Sequence, residues 1–237
     1  YTVTVTGGGI TLELTAMLEG PFNGTDMNTD LNPTEIPLSQ PYSTAPWNYG
    51  GTESVAAMPN TNVVDWVLVE LRDATDAGSA TSATMLAQQA AFLLDDGSIV
   101  SLDGSSLLSF DQTANQSLFV VIWHRNHLGI LSNNPLTESG GVYAYDFSSD
   151  VNQVYGGIVG HKELTPGVWG MVAADGNADG QVDNADKNIT WSQQAGLGGY
   201  VSGDFNLDTQ VDNADKNLRW VPNSGSGGQV PDAAMNG

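Results

Sequence analysis

Ile10, Leu12 and Leu14 alternate with Thr11, Glu13 and Thr15, the two-residue period of a strand with one buried face. Val3 to Thr6 alternates in the same way, and Gly7-Gly-Gly9 separates the two segments as a hinge. Val63 to Leu71 reads VVDWVLVEL, apolar enough for a central strand. Leu118 to Trp123 (LFVVIW) is another core strand, and Val142 to Phe147 sets Val, Ala and Asp against Tyr, Tyr and Phe. Ala83 to Leu94 is ambiguous. Its Ala and Gln favour helix, whereas Phe92-Leu-Leu94 running into Asp95-Asp-Gly97 and Ser98-Ile-Val100 reads as a hairpin. Gly167-Val-Trp-Gly170 reads as a last strand or a link. Residues 20–60 carry most of the prolines and many Asn and Gly residues, which predicts long loops. Short strands with turn signals between them, and no βαβ rhythm, predict a mainly β chain with an antiparallel β-sandwich over residues 1–168.

The pattern changes after that. Asp175-Gly-Asn-Ala-Asp-Gly-Gln-Val-Asp-Asn-Ala-Asp186 recurs 29 residues later as Asp204-Phe-Asn-Leu-Asp-Thr-Gln-Val-Asp-Asn-Ala-Asp215. Each copy sets oxygen-bearing side chains at positions 1, 3, 5, 9 and 12, the ligand spacing of a calcium loop. A hard cation of this size takes six to eight oxygens, and ligands on alternate residues of a tight loop supply most of them. In the first loop the expected ligands are Asp175, Asn177, Asp179, the Gln181 carbonyl, Asp183 and Asp186. In the second they are Asp204, Asn206, Asp208, the Gln210 carbonyl, Asp212 and Asp215. Gly180 suits the sharp turn at position six, where the second loop has Thr209, so the second site is expected to be the weaker. The repeat extends to Lys187/Lys216, Ile189/Leu218 and Trp191/Trp220. A short helix is expected after each loop, capped by Asp183 or Asp212, with the Ile/Leu and Trp pairs turned to a small shared core.

The terminal Asp, the Val at position 8 and the single helix per loop make residues 169–222 resemble the dockerin family of paired half-EF-hand modules. That resemblance implies two bound Ca²⁺ ions and docking onto a cohesin-like partner in an extracellular assembly. Family members use loop positions 10 and 11 for partner contact; here these are Asn184-Ala185 and Asn213-Ala214, not the hydroxyl pair frequent in cellulosomal members. Residues 10–168 resemble a β-rich module of large bacterial surface proteins. The carrying segments are Leu18-Glu-Gly-Pro-Phe22, Pro37-Leu-Ser-Gln-Pro-Tyr42, Val64-Asp-Trp-Val-Leu-Val-Glu-Leu-Arg72 and His124-Arg-Asn-His-Leu-Gly129. That resemblance implies a cell-surface location and brings no enzymatic activity with it. The Gly/Ser-rich tail, 223–237, is of a kind that is usually mobile.

Net charge sharpens the picture. The 27 acids outweigh six bases to give −21, which two Ca²⁺ ions would bring to −17. A field of this sign repels nucleic acid and anionic membrane and favours divalent ions, neutral polymers or other proteins. Only 14% of residues are charged, which suits a loop-rich secreted β protein better than a cytosolic helical one. The absence of cysteine leaves the redox compartment open. No apolar run approaches the ~20 residues of a membrane helix. The opening Tyr-Thr-Val-Thr-Val-Thr reads as a mature form from which any targeting segment has been removed.

Other candidates are weaker. Asp26-Met-Asn-Thr-Asp30 offers Asp26, Asn28 and Asp30 as a third calcium site or as a plain polar turn. His124, His127 and His161 offer nitrogens for zinc, or satisfied imidazoles at a strand end. Asp65 and Glu70 are a carboxylate pair, but strand alternation sets them on opposite faces, against glycosidic chemistry. Trp47-Asn-Tyr49 is a candidate sugar platform. The expected function is a non-catalytic extracellular assembly protein that self-associates into a filament or surface layer by exchange of the Thr2–Thr6 strand. The alternative is a carbohydrate-binding or carbohydrate-degrading module carried by a dockerin.

Overall fold

A computed structural model describes residues 9–231. The Thr2–Thr6 strand, Gly7 and Gly8 of the hinge, and the tail from Asp232 lie outside the described residues.

The protein is mainly β. The apolar run near residue 63 becomes β2 (Val63–Ala74), buried at every position. It pairs antiparallel with β3 (Met85–Leu94) and β6 (Ser117–Trp123), so both of its edges are satisfied. The ambiguous segment is therefore strand: the hydrogen-bonding edge of β2 overrides the helix preference of its Ala and Gln. Asp95-Asp-Gly97 makes the expected hairpin into β4 (Ser98–Val100), with Gly97 at φ +87°, where a side chain would be strained. The alternating segment is β1 (Ile10–Thr15), with Ile10, Leu12 and Leu14 facing the core. Shorter strands complete the sheet: β5 (Leu108–Phe110), β7 (Ile130–Leu131), β8 (Thr137–Ser139) and β9 (Val142–Asp146).

The strand order is β7-β6-β2-β3-β4-β1-β9-β8, with β5 also on β1. Two expectations are corrected here. The strands form one curled nine-stranded sheet in place of two separate antiparallel layers, because short β4 bridges β3 and β1. The sheet is also not purely antiparallel, since β1 and β9 run parallel from Thr11↔Val142 to Thr15↔Asp146. Val168–Gly170 falls in β11 (Val168–Met171), which pairs with β10 (His161–Thr165) in a separate two-stranded ribbon, with Gly167 in the turn between them.

The long loop over residues 20–60 packs across β2. Trp66 is fully buried, stacks 4.2 Å from Phe92 and donates its indole N–H to the Pro37 carbonyl. Tyr42, also fully buried, donates to the Trp66 carbonyl at 2.7 Å.

Candidate metal centre

The two loops fold alike, atom for atom. In the first, the Asp175 carboxylate accepts from the N–H groups of Asp179 (3.1 Å) and Gly180 (3.1 Å). Asn177 Oδ1 accepts from Asp179 N–H, and Asp179 Oδ1 from Gln181 N–H. Asp186 reaches back across the loop: Oδ1 accepts from Gly176 and Asn177, and Oδ2 from Asp183 at 2.7 Å. The second loop repeats every one of these bonds through Asp204, Asn206, Asp208 and Asp215. Successive turns of this kind wind the chain around its own carboxylates, which is what alternate Asp and Asn residues do when their oxygens bond N–H groups two residues on.

Position six takes the left-handed conformation in both loops: φ is +83° at Gly180 and +78° at Thr209. A β-branched residue there carries strain of about 1 kcal/mol or more. Thr209→Gly should therefore raise the melting temperature by a few degrees, and Gly180→Thr should lower it, in thermal unfolding monitored in calcium buffer.

Asp175, Asp186, Asp204 and Asp215 are all buried. Among the described residues none of the eight loop aspartates forms an ion pair. Burial, reinforced by Asp186 and Asp179, pushes the Asp175 carboxyl well above the usual range. Burial also lifts Asp186 and Asp215 to about 6. Asp204 rises to about 7, again chiefly by burial, with Arg125 opposing and Asp215 adding to the shift. Donor type, loop turn and buried carboxylates without an ion pair all fit a hard cation. Among the described residues no three His, Asp or Glu side chains are grouped as a metal cluster, and the loop carboxylates bond loop N–H groups.

A helix follows each loop, over 184–194 and 213–223. Asp183 and Asp212 cap them as expected, accepting from Ala185 and Ala214 N–H. The expected helix faces are corrected. Ile189 and Leu218 are 60% and 62% exposed, while Thr190 is buried. The cause is a widened turn: Ser192 N–H bonds the Lys187 carbonyl and Val221 N–H that of Lys216, five residues back. Such turns hold more residues than an α-turn and rotate the apolar position off the core. The small core consists of Leu128, Val172, Ala174, Val182 and Phe205, with Trp191 and Trp220 packed on its margin.

The repeats clasp each other. Trp191 Nε1 donates to the Asp212 carbonyl and Trp220 Nε1 to that of Asp183. Lys216 lies over Trp191 and Lys187 over Trp220. The segment after the first helix pairs with the second loop through Gly196, Leu197 and Val211. The segment after the second helix pairs with the first loop through Gly225, Ser226 and Val182. That corrects the expected mobile tail over its described part: residues 225–228 form the second of these clasps. Val230 is buried, and the Pro231 carbonyl accepts from Arg72.

The loops join the sheet through a polar cluster that the sequence did not single out as a unit. Asp65 accepts from Arg125 Nε (2.9 Å), Tyr200 Oη (2.7 Å) and His124 Nε2 (3.2 Å). Burial alone would raise the Asp65 carboxyl, but Arg125, His124 and Tyr200 bring it down to about 2. Asn126 Nδ2 donates to the carbonyls of Ser202 and Asp204, and Arg125 Nη1 to that of Val201. His127 Nε2 accepts from Gly20 N–H, leaving Nδ1–H to face His124 Nδ1 at 3.0 Å. Two of the three histidines are thus satisfied imidazoles. His161 lies elsewhere, against Trp169, with neither ring nitrogen hydrogen-bonded. The one available signal was the density of polar residues in Trp123-His-Arg-Asn-His127 directly after an apolar strand.

Asp26, Asn28 and Asp30 sit in an exposed turn in which Asn23 Nδ2 donates to Asp26 and Asn28. Asp65 and Glu70 lie on opposite faces: Asp65 meets Arg125 and Tyr200, whereas Glu70 meets Arg72, Gln88 and Trp123. No helix among the described residues is long and apolar enough to cross a membrane. Compared with known proteins, the chain matches no family model, no curated protein and no solved structure.

Proposed function

We propose that this is a non-catalytic extracellular structural protein that binds two calcium ions and assembles with further copies of itself or with a cohesin-like partner. The ions are assigned to Asp175, Asn177, Asp179, the Gln181 carbonyl, Asp183 and Asp186, and to Asp204, Asn206, Asp208, the Gln210 carbonyl, Asp212 and Asp215. The observation that carries this reading is the bond-for-bond identity of two loops that each bury two carboxylates with no ion pair. Calcium supplies charge neutralisation there. The chain itself does the rest: each loop, once fixed, holds the segment that follows the other loop's helix, so the two sites act as a staple.

Assembly follows from strand pairing. The alternating Thr2–Thr6 segment is assigned to the sheet margin of a neighbouring copy, where unpaired N–H and C=O groups await a strand. A supporting feature is the open sheet, which ends on β8, exposed at all three of its residues. Electron microscopy of the purified protein should reveal filaments or ordered arrays in millimolar calcium that disperse in EGTA. Dispersed monomers under both conditions would sink the assembly reading.

A further inference from the structure

The sheet face opposite the Asp65 cluster carries a second built feature. Glu70 and Arg72 of β2, Gln88 of β3 and Trp123 of β6 line a cleft of about 270 Å³, with Trp47 and Asn48 of the long loop as its other wall. Its base is a closed polar array. Arg72 Nε donates to Glu70 Oε1 at 2.6 Å; Glu70 Oε2 accepts from Gln88 Nε2 at 2.8 Å and Trp123 Nε1 at 3.1 Å. Arg72 Nη1 is engaged by the carbonyls of Ala80 and Pro231. Both charges of the pair are buried and compensate one another. Trp47 is held edge-on against Tyr42, ring centres 5.0 Å apart and planes at 86°, and Tyr42 is itself anchored on Trp66. The walls are therefore set before a ligand arrives, which reduces the entropy lost on binding.

We propose that this cleft binds one ring of a neutral glycan, stacked on Trp47 and hydrogen-bonded through its hydroxyls to Glu70, Gln88 and Asn48. The combination selects the ligand class. Indole faces pack the C–H face of a sugar ring, and planar carboxylate and amide groups match hydroxyls that both donate and accept. An anion meets a chain of net charge −21 and a guanidinium already engaged at Nε and Nη1. A cation meets a carboxylate whose charge is already paired with Arg72. The volume lies just under the ~300 Å³ at which drug-sized sites begin, which suits a single ring.

The test is titration calorimetry and ligand-observed NMR of the full chain against short cello-, chito- and malto-oligosaccharides, preceded by a printed glycan array, all in calcium buffer. At least one neutral glycan should bind with a dissociation constant in the millimolar range or tighter. Trp47→Ala and Glu70→Gln should each weaken it by about tenfold or more. Asn48→Gly, which removes the amide and tolerates the left-handed backbone at φ +48°, should weaken it with little change in melting temperature, and it keeps the test decisive if Trp47→Ala unfolds. No glycan bound by the wild-type chain would overturn the proposal, as would binding indifferent to all three substitutions.

Discussion

Asp65→Ala should lower the unfolding free energy by about 3–5 kcal/mol, among the largest effects of any single substitution in this chain. The carboxylate is fully buried and is the partner shared by Arg125, His124 and Tyr200. Its removal takes from the Arg125 guanidinium, itself 6% exposed, its one ion-pair partner among the described residues. Arg125 Nη2 has no hydrogen-bond partner, and the Val201 carbonyl that remains on Nη1 carries no charge. At this chain length the melting temperature should fall by about 10 °C. Tyr200→Phe removes one hydrogen bond and leaves the ion pair, so it should cost only about 1 kcal/mol. Equal losses in the two variants would mean that packing, not charge compensation, holds the loops to the sheet. Denaturant unfolding of both variants at one calcium concentration decides between them.

Calcium removal should have an effect of similar size, for a related reason. At about 100 times its dissociation constant a ligand stabilises by ~2.7 kcal/mol per site, so two sites amount to ~5 kcal/mol. The wild-type melting temperature should accordingly drop by at least about 10 °C in EGTA. Combined Asp186→Asn and Asp215→Asn substitution should abolish that difference. The effect should also depend on pH. Asp204 is raised to about 7 and Asp186 and Asp215 to about 6, so without calcium these groups favour the fold in their protonated form. Their contribution is complete below the unfolded value near 3.9 and is lost as pH rises through about 6 to 7. Calcium competes with those protons. The gap between melting temperatures with calcium and after its removal by desalting should therefore be wide at pH 8 and narrow at pH 5. A gap independent of pH would mean that calcium acts away from these carboxylates.

The legible parts of this molecule were those set by local chemistry. Val63–Leu71 announced a buried strand by composition, and Asp95-Asp-Gly97 announced its turn. Asp183 and Asp212 announced two caps, and Gly180 a left-handed turn. What stayed hidden was set by pairing at a distance. The parallel contact of β1 with β9 joins segments about 130 residues apart, and neither carries a mark of direction. The helix faces differ from expectation because five-residue-spaced bonds widen the turn, which nothing in the local sequence marks. The tail's Gly and Ser residues suggested mobility. Their backbone groups instead pair with Gly180 and Val182, a contact set by the second helix's direction rather than by the tail's own composition. The link from Asn126 to the Asp204 carbonyl could be found only once the sheet end and the second loop were brought together.

The assignment of calcium to the duplicated loops underlies the proposed function of this chain. Calorimetric titration of the EGTA-treated and desalted protein with CaCl₂ at pH 7.5, paired with metal analysis of the product, tests it most directly. Two ions should bind per chain in the wild type, and both should be lost in the combined Asp186→Asn, Asp215→Asn variant. No saturable calcium uptake by the wild type, or uptake unchanged in that variant, would contradict it.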